Sequence, residues 1–223
     1  MASNSGDVVI IGGGIVGIAS AYFLGKAGVT SVVIEQDSVG SHASGFAYGG
    51  LSPLLGAGIP GPLHPVAKEG MRLHRDFSRA LPEETGVQTE FQERPQLLLA
   101  FDERETQALK ARLPWLQEQK GYAVQWLDAH EARAVEPRIS PEAVGAVSIE
   151  GPADVEPYRF LLALAQASEK LGATIRHGKV TGLKREGGRV TAVSMEHDEM
   201  PCDRVVVAMG PWSGQVSSWL DIP

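Results

Sequence analysis

The stretch Asp7 to Glu35, DVVIIGGGIVGIASAYFLGKAGVTSVVIE, decides the fold of this chain. It opens on an apolar run, Val8 to Ile11, with the composition of a buried parallel strand. Glycines at Gly12, Gly14 and Gly17 then give G-x-G-x-x-G spacing. The apolar and small residues Ile18, Ala21, Tyr22, Leu24 and Gly25 suit a helix packed closely on a sheet, and Gly28 ends it. Val32 to Ile34 form a second strand, closed by Glu35. Each position has a mechanical reason. Gly12 permits the tight strand-to-helix turn, Gly14 lets a pyrophosphate approach the backbone, and Gly17 allows close helix–strand packing. The N–H groups and positive dipole end of the helix suit phosphates. Glu35, at the tip of the next strand, can accept hydrogen bonds from both hydroxyls of an adenosine ribose. The order strand, glycine turn, helix, strand, acid predicts a dinucleotide-binding βαβ unit.

The stretch Val8 to Gly25 carries no charge, yet its central glycines and the non-basic leader MASNSGD argue against a signal peptide or membrane span. The chain of 223 residues is 43% hydrophobic and 21% charged, enough for a sizeable core. A net charge of −7 without a polybasic run argues against nucleic acid and anionic membranes as partners. The lone Cys202 excludes an intramolecular disulfide and a cysteine metal cluster, and it reads as structural. The expected setting is cytoplasmic, with no metal.

The segment after Glu35, from Gln36 to Leu51, is rich in small and hydroxyl residues, and reads as a cofactor-lining loop. His42 there admits two functional readings, covalent flavin attachment and base catalysis, set against the plainer one of a solvated loop residue, which we prefer. Ser52 to Pro65, dense in Gly and Pro, is expected to be irregular and to lie over a binding cleft. A helix is expected over 66–81, strands over 88–92 and 96–101, a charged helix over 103–119, and a strand over 123–127. Asp128 is expected to N-cap a short helix, 129–134, before a strand over 143–149. This strand-rich block reads as a separate domain inserted into the nucleotide-binding fold. Helix is expected over 154–171, then strands over 173–176 and 179–184, and a hairpin through Glu186-Gly-Gly188 to 190–195. Asp203 to Gly210 reads as a buried strand that rejoins the parallel sheet.

Taken together, the nucleotide fingerprint, the Ser44…Gly49-Gly50-Leu51 loop, Asp154-Val-Glu-Pro157 before a helix, and VVVAMGPWS resemble the D-amino-acid oxidase-like flavoproteins. Within them the chain is most similar to the glycine oxidase/sarcosine oxidase branch. The resemblance implies an α/β fold: a Rossmann-like, glutathione-reductase-like FAD-binding domain over 1–86 and 150–223. It implies an inserted mixed or antiparallel α+β substrate domain, whose first part is 87–149. It implies that Gly12, Gly14, Ile15, Val16 and Gly17 hold the pyrophosphate, that Glu35 holds the adenosine ribose, and that Gln36 and Val180 neighbour the adenine. Ser44 and the backbone of Gly49, Gly50 and Leu51 would line pyrophosphate and flavin, and Ala208, Gly210 and Trp212 would flank the inner part of FAD. The histidine that some relatives link covalently to flavin falls nearer Ala47 than His42, which implies noncovalent FAD.

Family members continue well past the position of Pro223, so the chain is expected to be a fragment, without a terminal helix and incomplete at its C-terminus. The implied activity is hydride transfer to flavin from the α-carbon of a small amine or amino acid of the glycine, sarcosine or D-amino-acid type. No catalytic residue is named. Expected partners are that substrate and either a second copy or a complementary C-terminal polypeptide. The rival readings are an NAD-dependent dehydrogenase, a flavin-dependent 2-hydroxy-acid dehydrogenase, and a nucleotide-binding fragment without turnover. The Gly49-Gly50 loop and VVVAMGPWS speak for FAD over NAD.

Overall fold

The computed structural model describes residues 8–221. The leader Met1 to Asp7 and the end Ile222-Pro223, on which two of the expectations above fall, lie outside the described residues. The chain runs through β1 (Val8–Ile11), α1 (Ile15–Lys26), β2 (Ser31–Glu35), β3 (Gly50–Leu51) and α2 (His64–Thr85). Next come β4 (Gln92–Glu93), β5 (Gln96–Ala100), α3 (Glu103–Gln117), β6 (Ala123–Asp128) and α4 (Ala129–Val135). They are followed by β7 (Gly145–Glu150), β8 (Ala153–Asp154), α5 (Pro157–Lys170), β9 (Thr174–His177) and β10 (Val180–Glu186). The last elements are β11 (Arg189–Met195), β12 (Glu199–Pro201), β13 (Arg204–Val207), a 3-10 turn over Gly210–Gln215, and α6 (Val216–Leu220).

The chain divides into two units. The first is bounded by Met1–Tyr48, Ser78–Thr89 and Glu156–Pro223, the second by Gly49–Phe77 and Glu90–Val155. In the first unit a parallel sheet has the order β13-β1-β2-β9. Period-two alternation assigns its two faces. Val9, Ile11, Val32 and Ile34 form a core with Val193 and Met200 from the antiparallel sheet β10-β11-β12 and with Cys202 just after it. On the opposite face Ile10 meets α1 at Gly17, and α1 packs on α5. Glycine enables that second contact, because a Cβ on Gly25 would lie 2.7 Å from the Leu171 Cβ. Burial raises the Cys202 thiol above its usual range, which suits an inert packing residue.

In the second unit β5-β7-β6 form an antiparallel sheet, and β3-β8-β4 form a small second one. Leu54, Leu116, Val147 and Ile149 make its core. Asp128 caps α4 through a capping box with Glu131.

Several expectations are corrected. Residues 49–77 group with the second unit rather than with 1–48, because Gly50–Leu51 pair with β8 and Leu54 joins that core. The strand expected over 88–92 forms only at Gln92–Glu93. Helix α2 runs past Leu81 through Pro82, and Ala153–Asp154 pair as a strand, so α5 begins only at Pro157. Strand β13, expected to be buried, ends its sheet in the described residues, and Val207 is 37% exposed. A helical end, the 3-10 turn and α6, replaces the expected absence of terminal helix; Pro211 opens it at a position where no N–H is needed.

Candidate cofactor site

A cleft of about 270 Å³ lies in the first unit, at the C-terminal ends of β1 and β2. Its floor is the turn from β1 into α1. Gly12 takes a φ of +112°, and a Cβ there would lie 2.4 Å from the Ala208 carbonyl oxygen. A Cβ on Gly17 would lie 1.9 Å from the Gly12 carbonyl oxygen. These two glycines are therefore packing requirements of the turn. Gly14 differs: its Cβ would meet only Ser44 Oγ, at 3.1 Å, so its missing side chain leaves backbone open to the cleft. Gly14 is the N-cap of α1 and gives no side-chain cap, and no acid stands in the first turn. The Ile15 N–H donates to Ser44 Oγ at 3.0 Å.

Glu35 forms the far wall. Its Oε2 accepts from the Gly13 N–H at 2.6 Å and its Oε1 from the Asp37 N–H at 2.9 Å. A carboxylate has about four acceptor positions, so two anchoring bonds leave others for a ligand's hydroxyls. Gly13 has its own role, because a Cβ there would lie 3.0 Å from the Glu35 Cβ and Cγ. The sequence reading left Gly13 without a role, and the signal was the triple glycine itself. The Gly178 N–H donates to the Glu35 carbonyl at 2.8 Å, which holds Gly178 to Val180 beside the carboxylate.

Of the residues named from the sequence, Gly12, Gly14, Ile15, Val16, Glu35, Gln36, Ser44, Val180, Ala208, Gly210 and Trp212 line this one cleft. Gly17 lies beneath it as packing. Gly49, Gly50 and Leu51 do not line it and belong to the second unit. Ser38, Ser41 and His42 line the cleft as part of the loop read from the sequence as cofactor-lining, though none of them is given an individual role there, while Lys179 and Gln215 line it without any sequence signal. A run of hydroxyl residues after the acid was the available signal. His42 Nε2–H donates to Asp37 Oδ2 at 2.8 Å, and its ring lies 5.1 Å from that of Trp212. That hydrogen bond holds the Asp37 carboxyl below the usual carboxylate range. Ser41 Oγ is buried and has no hydrogen-bond partner. Among the described residues no cluster of His, Cys, Asp or Glu could hold a metal ion.

The matching family model is described as FAD dependent oxidoreductase, and it spans residues 7–222. The chain belongs to that family. It is 30% identical to the glycine oxidase of Bacillus licheniformis over 209 residues, 93% of this chain and 55% of that protein. It is 26% identical to hydrogen cyanide synthase subunit HcnC of Pseudomonas aeruginosa, over 95% of this chain and 59% of that one. Among solved structures, the glycine oxidase of Geobacillus kaustophilus superposes with a TM-score of 0.90 at 27% identity, over 98% of this chain and 59% of its own. The chain thus spans little more than half the length of these relatives. The family fixes the cofactor as FAD, and the fold is that of the glycine oxidases. The donor set fits that group: bare backbone at Gly14, an acid-free helix N-terminus, a ribose-height carboxylate and an orphaned Ser41 hydroxyl. Among the described residues no helix is long and apolar enough to cross a membrane.

Proposed function

We propose that the protein is an FAD-dependent oxidoreductase acting on the CH–NH bond of a small amine or amino acid. The observation that carries the reading is the cleft itself, which is lined together by Gly14, the start of α1 and the anchored Glu35. In this reading the first unit is the FAD-binding domain and the second is the beginning of the substrate domain. The N–H groups at the start of α1 and the Ser44 hydroxyl hold the pyrophosphate, Glu35 takes the ribose hydroxyls, and Gln36 and Val180 border the adenine. The enclosed volume, about 270 Å³, lies below the roughly 300–1,000 Å³ usual for small-molecule sites, so this cleft would enclose only part of the dinucleotide.

When bound, FAD supplies the redox chemistry by accepting a hydride from the carbon that bears the amine. The chain's own contribution is to bind and orient. FAD is noncovalent in this reading, since the position at which some relatives carry a linked histidine falls nearer Ala47 than His42. Glycine oxidases among the relatives support an amino-acid substrate over a 2-hydroxy acid. The test is anaerobic titration of the FAD-loaded protein with glycine, sarcosine, D-alanine and a 2-hydroxy acid. Bleaching of the flavin absorbance by an amine is expected. Bleaching by the hydroxy acid alone would reassign the substrate class, and no bleaching by any of them would leave a binding protein.

A further inference from the structure

Asp37, His42 and Trp212 form a cluster at the cleft that the family fingerprint does not account for. His42 donates to Asp37 at 2.8 Å, and its ring is bounded on another side by Trp212, 5.1 Å away and tilted by 59°. His42 and Trp212 both line the cleft. The loop that carries Asp37 and His42 is pinned to the floor, since Ser44 Oγ takes the Ile15 N–H and the Gly40 N–H bonds the Gly13 carbonyl.

The charges around the cleft make this pair decisive. Glu35 is a fixed negative charge in it, while a dinucleotide brings a doubly negative pyrophosphate. Its cationic candidates are His42 and Lys179, and Lys179 sits 3.3 Å from Glu196. His177 faces Asp37 from the end of β9. The first turn of α1 carries no acid, the 3-10 turn Gly210–Gln215 carries no titratable side chain, and α5 offers Tyr158 beside Gly40 and Gly45.

We propose that the Asp37–His42 pair, backed by Trp212, is a pH-sensitive latch on FAD retention, tight when His42 is protonated and loose when it is neutral. The proposal rests on the FAD reading of the cleft. With His42 protonated, the pair is electrically neutral and presents a cation beside the pyrophosphate path. With His42 neutral, Asp37 remains ionised and the pair adds a net negative charge beside Glu35, which only the more distant His177 opposes. Both side chains are about half exposed, 45% and 49%, which sets a modest scale. Dissociation constants for FAD should therefore rise about three- to tenfold from about pH 6 to about pH 8.5.

The experiment measures FAD affinity of the apoprotein by flavin fluorescence at both pH values and constant ionic strength. Wild type should weaken with rising pH. His42→Arg, which keeps a cation throughout, should bind tightly at both pH values, and His42→Gln weakly at both. Far-ultraviolet circular dichroism checks that each variant is folded, and the Arg variant serves where the Gln variant fails that check. A flat wild-type profile, a fall with pH that His42→Arg retains, or wild-type affinity in His42→Gln at about pH 6 overturns the latch. Absence of FAD binding by wild type at both values overturns the FAD reading, and the latch with it.

Discussion

The glycines of the GGG triplet, Gly12, Gly13 and Gly14, are not equivalent. Gly12 is demanded by its positive φ and by the Ala208 carbonyl, so Gly12→Ala should destabilise the fold by about 1–3 kcal/mol, read as a fall in thermal midpoint. Gly13 instead protects Glu35. Gly13→Ala should leave the circular dichroism spectrum unchanged while weakening FAD binding about tenfold, because the new methyl displaces the carboxylate that its own N–H holds. Equal affinity in Gly13→Ala would show that Glu35 does not depend on this contact. Which glycine did which job was only half legible beforehand. Spacing identifies the turn, but Gly13 owes its role to a contact with Glu35, 22 residues away, and no local pattern encodes that.

At the scale of elements, the sequence was clearest where a continuous apolar run marks a strand buried on both faces or where a cap stands before a helix. The pattern Val8 to Ile11 and Val32 to Ile34 marked β1 and β2, and Asp128 before Ala129 marked α4. Acid should expose that cap. The Asp128 carboxyl is held below 3.8 by the Glu131 N–H, so its contribution is complete above that value and is lost as pH falls through the folded-state pKa. Asp128→Asn, which caps without titrating, should lack this component when thermal midpoints are compared at falling pH. Other boundaries were decided by tertiary pairing. Ala153–Asp154 are claimed by strands β3 and β4, which shortens α5, and helix α2 continues through Pro82 although that residue removes a backbone donor. Packing should also be measurable element by element. Leu164→Ala in α5, whose side chain is 1% exposed, should cost about 2–5 kcal/mol in denaturant unfolding.

For the whole molecule, the central claim is that the first unit is an FAD cradle serving amine oxidation. A dinucleotide was readable early because the β1–α1–β2 fingerprint is compact in sequence, whereas FAD over NAD rested on the resemblance carried by Gly49-Gly50 and VVVAMGPWS. The cleft brings together residues from four separate segments: 11–16, 34–44, 178–180 and 208–215. Substrate identity was not readable in the same way, since no acid–base constellation in the chain announces it and flavin chemistry does not require one. The most direct measurement is the absorbance spectrum of the protein after saturation with FAD and gel filtration, set beside Glu35→Ala treated identically. The account predicts a retained flavin spectrum near one FAD per chain for wild type and a marked loss of it for Glu35→Ala. A wild-type protein that emerges colourless, or a Glu35→Ala protein that keeps the full flavin spectrum, would contradict it.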